Sequence, residues 1–261
     1  MMNASTKAQL IENLKGLNLS IMAKNLESHV REAKENGTNY EEFLMNLTEV
    51  ELQTRAENRQ VRRLREAKFP LLKALETFNV EAAEGLDRRL LKELSSSGYI
   101  KEKRNIILLG RSGTGKTHLA TGLGIKACHE NYRVRFITGS GLVNELTEAR
   151  KEMEVSRILQ RYARYELLIL DELGYVPFSK EGSELLFQVL AERHERGSVI
   201  ITSNLGFAEW TQIFRDPTMT GALLDRVTHK AHILNCTWES YRLKESLKEK
   251  KASNFAKKGG I

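Results

Sequence analysis

Five short apolar segments alternate with helical stretches along residues 105–236, and this alternation constrains the fold more than any other feature of the chain. The segments read NIILLG, VRFIT, LLILDE, SVIITSN and HILNC. Continuous apolar strands separated by helices are typical of a parallel sheet that is covered on both faces. The sequence therefore predicts an α/β fold with a five-stranded parallel sheet.

The residues before this region predict a different kind of structure. Residues 5–68 contain no proline and are rich in Leu, Glu, Lys and Arg, so we expect several helices there, with breaks around Gly16–Ser20 and Glu35–Asn39. Thr38 or Asn39 is expected to cap the helix that follows the second break. That helix should run to about Lys68, and a connector and a further helix should follow, the latter from after Val80 through Leu94.

These differences in sequence pattern divide the chain into three predicted parts. We expect a small all-helical N-terminal domain over residues 1–75, an α/β domain over 76–240 and a basic tail over 241–261. The formal net charge is +7, and residues 55–78 carry seven Lys and Arg against three Glu. The tail has a similar excess of positive charge. Segregated positive charge favours a polyanionic partner. We therefore expect the N-terminal part to bind DNA or a partner protein.

Composition excludes several classes of protein. No apolar run approaches the roughly 18 residues of a membrane helix, and the first residues lack the apolar core of a secretory signal. Cys128 and Cys236 are far apart and show no metal-binding spacing, which indicates two reduced, buried thiols. We therefore expect a cytoplasmic protein without a membrane partner.

The segment LLGRSGTGKTHLA, residues 108–120, carries the most specific motif. Gly110, Gly115, Lys116 and Thr117 match G-x-x-x-x-G-K-[ST] between a predicted strand and a predicted helix. Such a loop points its backbone N–H groups at phosphate oxygens, beside the N-terminus of the helix. The predicted nucleotide contacts are Gly110, Ser112, Gly113, Thr114, Gly115, Lys116, Thr117 and His118.

Polar residues end two later strands. Asp171 and Glu172 follow an apolar run, and Asn204 closes the next strand; ligands bind at this edge of open α/β sheets. We expect Thr117 and Asp171 to hold Mg²⁺, Glu172 to act as general base and Asn204 to hold the attacking water or the γ-phosphate. The alternatives are a helix cap or surface acid for Glu172 and an ordinary turn residue for Asn204.

With these residues the chain resembles AAA+ P-loop ATPases, and within them the IstB family of helper ATPases of bacterial insertion sequences. The resemblance covers about residues 40–250 and is carried by GRSGTGKTHLA, LLILDELGYVPFSKEGSELLFQVLAERHERGSVIITSN and WESYRLKES, preceded by REAKFPLLKALETFNV. It implies ATP and Mg²⁺ as cofactors, homo-oligomers on duplex DNA, remodelling of target DNA and recruitment or activation of a transposase. Because few residues follow Cys236 in this sequence, we expect no full C-terminal helical lid.

The resemblance also implies an active site shared between subunits. It places Arg226 on a subunit edge, facing the ATP of a neighbour, where an arginine stabilises the transition state. The alternative is a surface salt bridge with Asp225 or a nearby acid. Arg242 is expected to do part of the work of the missing lid's arginine, or else to belong to a basic tail helix.

A basic stripe lies near the end of the helical region. Arg55, Arg59, Arg62 and Arg63 recur at i, i+4, i+7 and i+8, and so share one helical face. Glu51–Arg55 and Arg62–Glu66 pairs would instead suit a plain solvated helix. The predicted DNA-binding residues are Arg55, Arg59, Arg62, Arg63, Arg65 and Lys68.

His229 and His232 are spaced i, i+3, but no third ligand is in view, so we interpret them as structural histidines.

The ATPase core suits a transposition helper and, as the alternative, a replicative helicase loader of the DnaC type. A guanine nucleotide-binding protein or a small-molecule kinase is disfavoured, because the chain has no N-K-x-D motif and Glu172 with Asn204 suits hydrolysis.

Overall fold

The computed structural model describes residues 4–175 and 177–241 of the chain. The chain divides into two compact units between Arg62 and Arg63. This division precedes the predicted boundary at residue 75 and falls inside a helix. The assignment of the first part to DNA or partner binding stays a prediction.

Three helices build the described part of the first unit, which begins at residue 4. They are α1 (Ala4–Gly16), α2 (Ser20–Asn36) and α3 (Tyr40–Ala67), the last of which continues into the second unit. The two predicted breaks are confirmed. Asn39 caps α3, because its side-chain oxygen accepts a hydrogen bond of 2.8 Å from the backbone N–H of Glu42. A small apolar core holds the unit together and consists of Leu14, Met22, Ala23, Leu26 and Leu47.

The second unit is an α/β domain. Its strands are β1 (Ile106–Gly110), β2 (Val134–Thr138), β3 (Leu167–Leu173), β4 (Ser198–Ser203) and β5 (His232–Cys236). Its further helices are α4 (Arg88–Ser95), α5 (Gly98–Lys101), α6 (Lys116–His129), α7 (Gly139–Lys151), α8 (Val155–Ala163), α9 (Lys180–Arg193), α10 (Trp210–Phe214) and α11 (Pro217–Thr228), with 3-10 turns at Leu75–Thr77 and Phe207–Glu209. The strand order is β2-β3-β4-β1-β5, and every paired neighbour is parallel.

The sheet is buried on both faces, as its apolar strands require. Residues 167–170 of β3 are inaccessible to solvent. Alternate residues feed two separate apolar clusters: Leu168 and Leu170 pack with α7, α9 and α11, while Leu167 and Ile169 pack with α6. The predicted five-stranded parallel α/β fold is confirmed. Because all strands are parallel, their carboxyl ends meet at one edge of the sheet.

One predicted helix is wrong in its bounds. We expected a helix from after Val80 through Leu94, but α4 begins only at Arg88. Gly85 has a φ of +84°, which breaks the earlier stretch. The helix then begins after Asp87, whose carboxylate accepts hydrogen bonds of 2.8 Å and 3.2 Å from the backbone N–H groups of Arg89 and Leu90.

Cys128 and Cys236 are buried and not bonded to each other, as expected. Burial raises the pKa of the Cys128 thiol to about 12 and that of Cys236 to about 11, so both are protonated at neutral pH.

Among residues 4–175 and 177–241, no helix is both long and apolar enough to cross a membrane. Arg242 and most of the predicted tail lie outside the described residues.

Candidate active site

The loop between β1 and α6 depends on its glycines. Gly110 has a φ of +154°, and a side chain there would overlap the backbone carbonyl of Cys236 on the neighbouring strand. Gly115 has a φ of +87°, and an added Cβ would come within 2.8 Å of the Phe78 ring. Both positions therefore require glycine. Glycine at these two positions therefore allows the loop to follow its curled path.

Lys116 opens α6 and is almost fully buried, with 9% of its surface exposed. Its Nζ donates hydrogen bonds to the backbone carbonyls of Gly110, at 2.6 Å, and Arg111, at 2.8 Å. The ammonium group thus lies inside the curled loop. Together with the N–H groups of the first turn of α6, it concentrates positive charge at one point.

Next to this charge lies a network of hydroxyl and carboxylate groups. The Thr117 hydroxyl donates to Asp171, 3.0 Å from one carboxylate oxygen and 3.1 Å from the other. Asp171 is 4% exposed. The Thr202 hydroxyl donates to the same carboxylate at 2.6 Å and accepts a 2.9 Å hydrogen bond from the backbone N–H of Glu172. Thr202 thus connects the two acidic residues near the carboxyl end of β3.

Glu172 has an unusual backbone. Its φ is +56°, and the pairing of β3 with β4 shifts register between Leu170 and Leu173. At this irregularity the Glu172 side chain is exposed, although its neighbours Asp171 and Leu173 are buried. Non-glycine residues rarely adopt this conformation, and it is often retained where a site needs the side chain. Asn204, also exposed, follows the end of the adjacent strand β4.

These residues surround one cavity of about 550 Å³. The predicted residues that line it are Ser112, Gly113, Thr114, Gly115, Lys116, Thr117, His118, Glu172 and Asn204. Gly110 and Asp171 do not line it, but they contact Lys116 and Thr117, which do. The fold therefore brings the glycine-rich loop, Lys116, the acidic pair and the amide of Asn204 together.

A second wall of the cavity was not predicted from the sequence. It comes from the stretch 70–82, where His118 Nε2 lies 2.9 Å from the Ala74 carbonyl and its ring packs edge-on against Phe78. Trp238, beyond β5, lines the same cavity and donates its indole N–H to the carbonyl of Thr114 at 2.8 Å. Both contacts join segments distant in sequence, which local patterns do not reveal.

Of the two arginines predicted for the active site, the structure describes only Arg226. Arg226 lies on α11, where its guanidinium donates to the Ala222 carbonyl at 2.7 Å and lies 5.3 Å from the centre of the Phe187 ring. It does not line the cavity of its own chain. Arg242 lies outside the described residues.

The basic residues of α3 have different surroundings. In the first unit, Arg55 pairs with Glu51 at 2.7 Å, as the plain-helix alternative proposed, while Arg59 and Arg62 are exposed. In the second unit, Arg63 is half-buried and donates to Asn131 at 3.2 Å, and Arg65 and Lys68 are exposed. DNA binding by these residues stays a prediction.

Comparison with known proteins identifies the relatives of this chain. A sequence model of the family described as IstB-like ATP binding protein matches residues 12–249. The chain belongs to the IstB family. An ATP-binding protein of insertion sequence IS21 from Pseudomonas aeruginosa is 39% identical over 90% of this chain and 89% of its own length. One of insertion sequence IS5376 from Geobacillus stearothermophilus is 36% identical over 94% and 98%.

Solved structures agree on the fold of this IstB-family chain. The AMPPCP-bound replication initiator DnaA from Aquifex aeolicus superposes with a TM-score of 0.56 at 19% identity, covering 70% of this chain and 56% of DnaA. Domain III of DnaA from Thermotoga maritima gives a TM-score of 0.52 at 18% identity, with 64% and 67% covered. At these identities the likeness extends to the AAA+ fold and no further. The predicted family, the five-stranded parallel α/β fold and the helical N-terminal region are confirmed.

Proposed function

We propose that this chain is an Mg²⁺-dependent ATPase that helps an insertion sequence transpose. The observation that carries the proposal is the contact of Thr117 with Asp171 beside Lys116, on a cavity that Glu172 and Asn204 also line. Membership of a family of ATP-binding proteins names the nucleotide.

ATP fits this cavity through its phosphates. The N–H groups of the loop and of the first turn of α6 would bind the phosphate oxygens. Lys116, now bonded to the carbonyls of Gly110 and Arg111, would turn its ammonium group to the β- and γ-phosphates. The second wall, with Phe78 and His118, would contact the base, which is the less polar end of the nucleotide.

The donor set also fits Mg²⁺. This ion prefers oxygen ligands and usually keeps several waters, binding to proteins through few side chains and to substrate phosphates. The hydroxyl of Thr117 and the carboxylate of Asp171 are oxygen donors in direct contact. When bound, the ion would neutralise charge that develops on the phosphates.

Hydrolysis would proceed by in-line attack of water on the γ-phosphorus. The new P–O bond forms as the bond to the ADP oxygen breaks, and Glu172 takes the proton of the water. Asn204 would orient that water through its amide. Arg226 does not line its own chain's cavity, which is consistent with a role in the active site of a neighbouring subunit in a homo-oligomer.

The proposed partners are duplex DNA and a transposase. The basic side chains of α3 would contact the phosphate backbone of DNA. The sequence shows no motif that reads bases, which favours binding through charge and DNA shape. Close relatives belong to insertion sequences, which favours a transposition helper over a DnaC-type helicase loader.

Analysis of the products separates these activities. We expect free phosphate from ATP, Mg²⁺ dependence and stimulation by duplex DNA of random sequence. Electron microscopy with ATP and duplex DNA should show several subunits along the DNA, and these assemblies should retain the transposase encoded by the same element. A phosphorylated acceptor in place of free phosphate would contradict the ATPase, and retention of a replicative helicase but no transposase would favour the loader.

A further inference from the structure

Three potential metal ligands converge at a place that the nucleotide cavity does not include. His194 follows the last residue of α9, Glu195 is its neighbour, and His229 follows the last residue of α11. Their ligand atoms all lie within 4.8 Å of one another. The three side chains line a separate cavity of about 150 Å³. The two histidines are remote in sequence, so only the fold brings them together.

The surroundings of His194 supply an independent reason to expect a ligand. Its Nδ1 lies 3.2 Å from the backbone carbonyl of Arg226. A carbonyl only accepts hydrogen bonds, so Nδ1 must carry a proton, and in the neutral imidazole Nε2 then has the lone pair that a metal needs. Histidines that bind metals almost always donate their other ring N–H in this way, which holds the ring in place. The His194 and His229 rings already lie 5.5 Å apart, centre to centre.

We propose that His194, Glu195 and His229 bind a divalent transition-metal ion, with Zn²⁺ as the occupant that the donors fit best. Two imidazoles and one carboxylate are a familiar Zn²⁺ set, completed by water in the fourth position. Ligand atoms in such a tetrahedron lie about 3.3 Å apart, given zinc–nitrogen distances of about 2.0–2.1 Å. Glu195 and His229 are exposed, so they can rotate to close the gap.

The charges around the cluster select the kind of ion. Lys103 and Lys230 line the same cavity, and Lys230 pairs with Glu195 at 3.8 Å, while Glu102 contributes a second carboxylate. The ion must displace Lys230 from Glu195. Hard cations such as Mg²⁺ and Ca²⁺ depend on several oxygen ligands, and this mixed-charge surface does not suit them. Imidazole nitrogen binds Zn²⁺ and its neighbours in the transition series far better.

Such an ion would join two helices next to a residue of the proposed ATPase. It would tie the carboxyl end of α9 to that of α11, and Arg226 lies on α11 one turn before His229. The metal would thus restrict the movement of the helix that carries the proposed trans arginine. This consequence rests on the proposed function, whereas metal binding itself does not.

The test is a metal titration of the untagged full chain after chelator treatment. We expect calorimetry to give one tight Zn²⁺ per chain, and Co²⁺ to produce the strong visible absorption of a tetrahedral site. His194→Ala and His229→Ala should each weaken Zn²⁺ binding by at least about 10-fold, because even the loss of a residue that only orients a ligand costs about 10–100-fold. The matched control is His232→Ala, which removes a histidine near His229 that is not part of the cluster.

Each outcome is decisive. Unchanged Zn²⁺ affinity in both His194→Ala and His229→Ala overturns the proposal, as does loss of binding in His232→Ala with none in His194→Ala. The absence of any Zn²⁺ binding by the wild type also overturns it. Since the His229 side chain is exposed, its variant should fold, which ATP binding by the same sample verifies. ATP binding without Zn²⁺ binding would refute the metal site and leave the ATPase proposal standing.

Discussion

At the scale of single residues, Thr202 is the side chain that joins the acidic pair at the end of β3. It donates to the Asp171 carboxylate and accepts from the Glu172 backbone N–H. Thr202→Val keeps the shape but removes the hydroxyl, so Glu172 loses the anchor of its strained backbone. We expect kcat for ATP hydrolysis to fall about 10-fold or more, with the KM for ATP little changed. Steady-state kinetics measures both.

The matched control for this prediction is Thr202→Ser, which restores the hydroxyl. It should recover most of the lost kcat, whereas a merely structural role for the buried side chain would leave serine no better than valine. If valine leaves kcat unchanged, the hydroxyl does not position Glu172.

The residues of the cavity show which contacts a sequence can predict. The sequence predicts that one group of residues lies together: Lys116, Thr117, Asp171, Glu172 and Asn204. The glycine-rich loop motif itself identifies the first two as phosphate and metal contacts. The other three follow because the carboxyl ends of parallel strands meet at one edge of the sheet. Thr202 has no such signal. Its role depends on the register in which β4 pairs with β3, where Leu170 lies opposite Ile201 and the next residues are Asp171 and Thr202. The register between strands that are distant in sequence arises from the packing of the whole sheet.

At the scale of elements, Glu51 of α3 acts as a side-chain cap for α2. Its carboxylate accepts hydrogen bonds from the backbone N–H groups of Ile21, at 2.9 Å, and Met22, at 2.8 Å, and it pairs with Arg55. Glu51→Ala leaves those N–H groups without their acceptor. We expect the opening free energy of α2 to fall by about 1–3 kcal/mol, measured by hydrogen exchange at Ile21 and Met22. Glu49→Ala, an exposed acid on the same helix, is the control and should have little effect.

The pH dependence of this cap follows from its charge. Burial raises the pKa of Glu51, but the hydrogen bonds from Met22, Arg55 and Ile21 outweigh it, and the net pKa lies below the ordinary 4.5. A group with a lowered pKa in the folded state stabilises it fully above the unfolded value. That contribution is lost as the pH falls through the folded pKa. The difference between wild type and Glu51→Ala should therefore shrink below pH 4.5, and a constant difference would contradict the role of the charge.

The exposed arginines of α3 make the proposed DNA contact measurable. Each phosphate contact contributes about 0.9 to the slope of log affinity against log salt concentration. Replacing Arg59 and Arg62 with Ala should flatten that slope by about 1.8 if both contact phosphates. Removing Lys24 and Lys34, exposed on α2, is the charge-matched control. Equal slopes for the two double variants would move the DNA site away from these arginines.

The elements themselves were predicted unevenly. All five strands were found, because a strand buried on both faces is a continuous apolar run that few other structures allow. The start of α4 was wrong, because a glycine turn and the Asp87 cap interrupt a stretch with helical composition. The helix α8 had no prediction, although Val155, Ile158, Leu159 and Tyr162 have helical spacing. It is short, and its position depends on packing against α7 and α9.

At the scale of the whole molecule, the proposed catalysis requires an assembly. Arg226 does not line the cavity of its own chain, so Arg226→Ala should bind ATP but lose about 10³–10⁵ in hydrolysis rate. Mixing Arg226→Ala with Lys116→Ala should restore part of the activity, since some interfaces then join an intact loop to an intact arginine. Phosphate release by the mixture measures this.

The controls of that mixture are each variant alone at the same total concentration, and a co-sedimentation assay that verifies mixed assembly on DNA. If the variants assemble together and no activity returns, Arg226 acts within its own chain or only through the contacts of α11.

The central claim is that this cavity hydrolyses ATP with Glu172 as the base, and the chemical state of nucleotide bound to Glu172→Gln tests it most directly. The variant keeps the shape of the side chain and loses its basicity, so radiolabelled ATP should bind and be recovered intact, with hydrolysis slowed by about 10²–10⁴. Lys116→Ala, measured alongside, should retain no nucleotide. Recovery of ADP from Glu172→Gln at the wild-type rate would contradict the account.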